Sequence, residues 1–131
     1  MSPRTTDEIV QEYFNDLQLA FDSGKVHPVR LHLAEDVVLV TPHNRIETKA
    51  KVLKNFEEKL LPNVDKMIIL KHYSDRGSAC TIYEYVTKAP HIKIPTVAWH
   101  KVKDGVIYEI HIYFDTALWD KMLAGRQRKA G

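Results

Sequence analysis

Cysteine, glycine and long apolar runs are scarce in this 131-residue chain, which has one Cys and five Gly. Each scarcity closes off a class of protein. The single Cys80 allows no internal disulfide and no multi-cysteine zinc site, and it fits a reducing compartment. The few glycines form no phosphate-cradling loop and no nucleophile elbow. No apolar run approaches the roughly 18 residues of a membrane span, and the opening MSPRTTDEIV is too polar for a signal peptide. A cytoplasmic protein without membrane contact is therefore expected. Charge of one sign is also lacking. Nineteen Lys and Arg stand against seventeen Asp and Glu, for a net +2. A nucleic-acid binder would mass basic residues on one face, whereas here only Arg126, Arg128 and Lys129 cluster, in the tail. The seven histidines have neither HExxH nor His-x-His spacing, and a metal needs three or four converging ligands. Neither metal nor cofactor is expected.

What is present is an ordinary globular balance, 44% hydrophobic and 27% charged. No repeat, low-complexity stretch or linker divides the chain, so residues 1–131 read as one domain. The spacing predicts a helix over Thr6–Asp22. Thr5 and Glu8 have capping-box spacing, Ile9, Val10, Tyr13, Phe14, Leu17 and Phe21 form one stripe, and Ser23-Gly24 ends it. Pro28 suits the first turn of a short second helix carrying Val29, Leu31 and Leu33. Asp36–Thr41 is β-branched and stops at Pro42, as a strand would. A third helix follows Thr48 and buries Val52, Leu53, Phe56 and Leu60. Four strands come next, near Lys66–Tyr73, Ala79–Lys88, Ile92–Lys103 and Val106–Phe114. A final turn or two of helix holds Leu118, Trp119, Met122 and Leu123. Helices followed by antiparallel strands make an α+β layout.

The turn at Lys103-Asp104-Gly105 decides which side chains share a face. A two-residue Asp-Gly turn pairs Val102 with Ile107, and a three-residue turn with Gly105 as bulge pairs Val102 with Val106. The second puts Ala98, Val102, Val106, Ile110, Ile112 and Phe114 on one side. It leaves Trp99, Lys101, Glu109, His111, Tyr113 and Asp115 on the other, and that alternation favours the bulged turn.

The helix ending in AFDSG, the segment LAEDVVLVTP and the closing pair WHKVKDGVIYEIHIYFDTA together resemble a nuclear transport factor 2-like (NTF2-like) domain of the SnoaL-like group, over residues 7–123. The resemblance implies a cone: a strongly curved, mostly antiparallel sheet wrapped around three N-terminal helices, with a short C-terminal helix and an apolar pocket at the open end. The group includes ketosteroid isomerases, polyketide cyclases and limonene-epoxide hydrolases, so the fold does not choose the function. Carried over by position, the isomerase general base falls at Thr41, its oxyanion-hole tyrosine at Leu17 and its protonated aspartate at Ala98. The cyclase aspartate falls at Ile112. The epoxide-hydrolase positions fall at Ile82 and Ile112, with Thr41 and Glu84 as partial survivals. Threonine does not abstract a carbon-bound proton at neutral pH, and Leu and Ala stabilise no enolate.

Two residues remain as acid–base candidates. If Cys80, Ile82 and Val86 face the core, Glu84 is a carboxylate in an apolar wall, where burial raises its pKa toward a useful range. If Tyr83 and Tyr85 face inward instead, Glu84 meets solvent or a lysine. His100 shares the inner face with Ala98 and Val102. It is either a proton shuttle or a core histidine bonded to backbone. His43 is either a residue of the pocket rim or, the simpler reading, a loop histidine without function, and Asp115 reads as a helix cap. The pocket is expected to be lined by Tyr13, Phe14, Leu17, Thr41, Phe56, Ile82, Ala98, Ile110, Ile112 and Phe114, and to take a small, largely apolar molecule. Catalysis of isomerase or cyclase type, through Glu84 and His100, is one expected use. A non-catalytic dimeric binding or protein-interaction domain is the other. The outer strands carry Trp99, His111 and Tyr113, a mixed aromatic face suited to a homodimer.

Overall fold

A computed structural model describes residues 4–26 and 31–130. Helix α1 spans Thr6–Ser23, and Thr5 and Glu8 close a reciprocal capping box at its start. Gly24, at φ 78°, ends it in the left-handed conformation that glycine adopts without a Cβ penalty. Six strands follow: β1 (Leu33–Val40), β2 (Arg45–Glu47), β3 (Val64–Ser74), β4 (Ser78–Thr87), β5 (Lys93–Lys103) and β6 (Val106–Phe114). Between β2 and β3 lies α2 (Lys49–Asn55), continued by a π-helical turn over Phe56–Leu60. Helix α3 (Thr116–Ala130) closes the chain.

The strands form one open, strongly curved sheet in the order β2-β1-β6-β5-β4-β3. Only β1 and β6 run parallel. Register breaks in β1, β3 and β6 supply bends, since an extra residue locally tightens the strand's twist. The concave face receives α1, whose Ile9, Val10, Tyr13, Phe14, Leu17, Ala20 and Phe21 are all buried. This is the α+β cone that the resemblance implies.

Several details depart from the expectations. The short helix placed at Pro28 falls largely outside the described residues, and its Leu33 opens β1. The helix after Thr48 is present, capped by the Thr48 hydroxyl, although Leu53 is only partly buried. The C-terminal helix is not one or two turns but 15 residues, and Asp115 does cap it, accepting the Leu118 N–H at 3.1 Å. The β5–β6 hairpin uses the two-residue turn: Lys103 pairs with Val106 and Val102 with Ile107. Asp104 and Gly105 sit at φ 53° and 79°, the positive values that such a turn requires and that match the twist of its strands. The extra residue lies at Tyr108 instead, because Lys101 pairs with Glu109. Ile107 therefore takes the inner place expected for Val106, and Ile110 and Ile112 keep the inner face expected of them. Among the described residues, no helix is long and apolar enough to cross a membrane.

Candidate functional site

Strand pairing settles the facing of β4. Thr81 lies opposite Ala98, Tyr83 opposite Thr96 and Tyr85 opposite Ile94, all buried. Side chains directly opposite each other share a face, so Cys80, Ile82, Glu84 and Val86 point outward. Glu84 is half-buried on the convex side, and Ile82 is 37% exposed. The expectation that Glu84 is a carboxylate inside the cone, and that Ile82 lines the pocket, is thereby corrected. Two tyrosines bring more apolar surface to the core than Ile82 and Val86, and their hydroxyls find each other.

His100 does face inward and is fully buried. Its ring lies 4.5 Å from that of Tyr13 and 5.3 Å from that of Phe14, both edge-on. Neither ring nitrogen has a hydrogen-bond partner among the described residues, so the backbone bond expected of a core histidine is not seen there. Burial, aided by the nearby His72, drops its pKa from 6.5 to about 3. The imidazole is neutral, walled off by α1, and does not line the cavity described next.

That cavity opens at the end of the cone and measures about 310 Å³, the lower end of the roughly 300–1,000 Å³ typical of ligand pockets. Leu39 of β1, Tyr85 of β4, and Ile112 and Phe114 of β6 form its floor and back wall. Asn55, Phe56, Lys59 and Leu60 come from α2 and its π-helical continuation. Such π turns often mark functional sites. Trp119 and Leu123 of α3 form the third side, and Thr41, His43 and Asn44 of the β1–β2 loop the fourth. Among the described residues, no carboxylate lines it. Of the residues expected there, Thr41, Phe56, Ile112 and Phe114 are present. Tyr13, Phe14, Leu17, Ala98 and Ile110 are instead spent in the packed core.

The polar groups are unequal. The Thr41 hydroxyl donates to Asn44 Oδ1 at 2.9 Å and accepts the N–H groups of His43 and Asn44, both at 3.2 Å. It shapes the loop and has nothing left for a ligand beyond contact. His43 stacks edge-on against Phe114 at 5.5 Å, with Nε2 at 3.9 Å from Asp120 Oδ1 on α3. That approach links the loop to α3 across the mouth.

Tyr85 differs from these. Tyr83, 1% exposed, donates its hydroxyl proton to the Tyr85 oxygen at 3.0 Å. The direction follows from position: neither hydroxyl has another acceptor among the described residues, but Tyr85 borders the cavity and Tyr83 does not, so the reverse bond would leave the Tyr83 proton buried and unpaired. Tyr85 therefore accepts, and its own proton has no acceptor among the described residues. Burial pushes its pKa up to about 12, against a lowering by the Tyr83 bond. At neutral pH it is a hydrogen-bond donor, not a base. Tyr85, Lys59, Asn55, Trp119 and Leu123 were not foreseen. Reading β4 against the well-patterned β5 would have found Tyr85.

An Asp–His–Thr chain also exists, with His72 at 2.8 Å from both Asp7 Oδ1 and Thr81 Oγ1. Thr81 is buried beneath α1 and does not line the cavity, so the chain ties the start of α1 to the sheet. Among the described residues, no three His, Cys, Asp or Glu converge as metal ligands.

No protein-family model and no curated protein matches the chain. Solved structures do. A protein from Kribbella flavida superposes with a TM-score of 0.77 at 20% identity, covering 97% of this chain and 99% of its own. An NTF2-like protein from Cytophaga hutchinsonii gives 0.70 at 19% identity, over 89% and 96%. A candidate SnoaL-like polyketide cyclase from Jannaschia sp. CCS1 gives 0.71 at 12% identity, over 93% and 96%. The chain thus has the NTF2-like fold.

Proposed function

We propose that this NTF2-like chain binds a small, largely apolar molecule in the cavity at the open end of the cone, holding one of its oxygens through the Tyr85 hydroxyl. The observation that carries this reading is a donor without an acceptor, set in an otherwise apolar wall. A carbonyl or hydroxyl oxygen of a ligand would complete it, and the apolar remainder would cover Leu39, Phe56, Ile112 and Phe114. The cyclase-like description of the Jannaschia protein fits a carbonyl-bearing ligand. Acid–base catalysis through Glu84 and His100 loses its support, since Glu84 lies outside the cone and His100 behind α1. Binding therefore stands ahead of isomerase or cyclase chemistry.

The test uses a matched pair, acetonaphthone and ethylnaphthalene, which differ by the ketone oxygen. Calorimetry should show the ketone binding about tenfold tighter, the worth of one neutral hydrogen bond in a dry site. Tyr85→Phe should erase that difference and leave ethylnaphthalene unchanged. The Tyr83→Phe/Tyr85→Phe double variant removes both hydroxyls, so no orphan is left to confuse stability with binding. A ketone preference that survives Tyr85→Phe would refute the role given to Tyr85.

The assembly we propose is a homodimer through the convex face. Ile82 and Trp99 are each 37% exposed there and Tyr113 54%. Trp99, His111 and Tyr113 form a ring ladder at 5.3 and 6.4 Å. Beside it, Lys101 and Glu109 bond at 2.7 Å, which raises the lysine pKa and lowers that of the glutamate. Internally neutralised charge beside aromatic surface suits a self-complementary two-fold contact. Light scattering at micromolar concentration should give twice the chain mass, and Trp99→Glu should halve it. A monomeric wild-type chain would end this proposal.

A further inference from the structure

The cavity is asymmetric in charge, and this points to the kind of molecule it holds. Its floor and back wall are apolar apart from Tyr85, while polar groups gather at the mouth. Lys59 is the cation there. It lies one turn beyond Asn55 on the same helical run, and both line the cavity. Two of the neighbouring acids have other partners. Glu58 faces Lys54 at 3.8 Å, and Asp120 faces His43 at 3.9 Å on the opposite side of the mouth. Lys59 makes no ion pair among the described residues, and the lining supplies no carboxylate to balance it. Its aliphatic stem can lie along the apolar rim while the ammonium reaches the opening. A single uncompensated cation matches a single negative charge. A doubly charged phosphate would call for more cations than this mouth holds.

We infer that the cavity's occupant is a small, largely apolar carboxylic acid, seated with its carboxylate at Lys59 and Asn55 and the rest of its body, including the oxygen held by Tyr85, inside the cone. The inference rests on the proposed binding function and adds the charge of the ligand. The Asn55 amide can donate a second hydrogen bond to the same carboxylate.

The experiment compares octanoate with octanol, two chains of equal length and different head groups, by calorimetry on the full chain. Octanoate should bind about fivefold tighter, as expected for an ion pair at a partly exposed site. The advantage should fall as salt is added, because the head group sits within reach of screening ions. Lys59→Gln, an exposed substitution that leaves the core untouched, should abolish the advantage of octanoate over octanol. Lys59→Glu should reverse the order of the two. Equal binding of octanol and octanoate, or an advantage that survives Lys59→Gln, would overturn the inference while leaving the binding function standing. Failure of octanol and acetonaphthone alike would overturn both.

Discussion

His100 offers the sharpest test of the folded core. The variant is His100→Leu, which keeps a similar volume between Tyr13 and Phe14 and removes two polar nitrogens that have no partner among the described residues. The folded pKa of about 3 lies below the 6.5 of the exposed side chain. The unfolded chain therefore takes up the proton first. Stability tied to this group is complete above 6.5 and drains as pH falls toward 3, at about 1.4 kcal/mol per pH unit. Between about pH 6 and pH 4 the wild-type chain should lose about 2–3 kcal/mol from this residue alone, a large share of a typical 5–15 kcal/mol total. At about pH 7.5 the leucine variant should be more stable by about 1–2 kcal/mol, because an unmet ring donor and acceptor have been replaced by apolar contact. Urea titrations of both proteins across this range measure both effects. Parallel pH profiles for wild type and variant would refute the reasoning, and so would a variant less stable near neutrality. Either result would mean that the imidazole has a partner.

Two further predictions concern the walls and the corrected carboxylate. A Cβ at Gly125 would come within 2.9 Å of Pro90 Cγ, so Gly125→Ala should lower the melting temperature. The helix propensity gained, about 1 kcal/mol, is outweighed by an overpacking cost of about 1–3 kcal/mol. A raised melting temperature would show that α3 does not pack on Pro90 as described. Glu84→Gln should change acetonaphthone affinity by less than twofold and stability by no more than about 0.5 kcal/mol, as for an ordinary surface change. A large loss of binding would return Glu84 to the site.

Where one pattern dominated its segment, the chain was readable. The α1 stripe, its capping box and the parity of β5 all follow from local residues, and β5 places Ala98, His100 and Val102 inward as expected. Strand β4 was ambiguous because both of its faces are apolar, one by Ile and Val and the other by Tyr. Only the partner strand decides between them. The hairpin expectation had the right faces beyond Glu109 for the wrong reason, since a bulge at Tyr108 and a three-residue turn shift parity alike. Helix α3 was read too short because its last turns carry few apolar residues. Those unread turns follow Trp119 and Leu123, which close the cavity. Lys59 and Asn55 are ordinary surface residues in sequence. Their place at the mouth comes from how α2 packs on the sheet, which no local pattern records.

The central claim is that the open end of the cone, and not the convex face, receives the ligand. Methyl-selective NMR during titration with acetonaphthone tests it most directly. The account predicts shifts at Leu39, Leu60, Ile112 and Leu123, which line the cavity, with Ile82 unmoved on the convex side. A shift confined to Ile82, or no shift at any methyl up to the ligand's solubility limit, would contradict it.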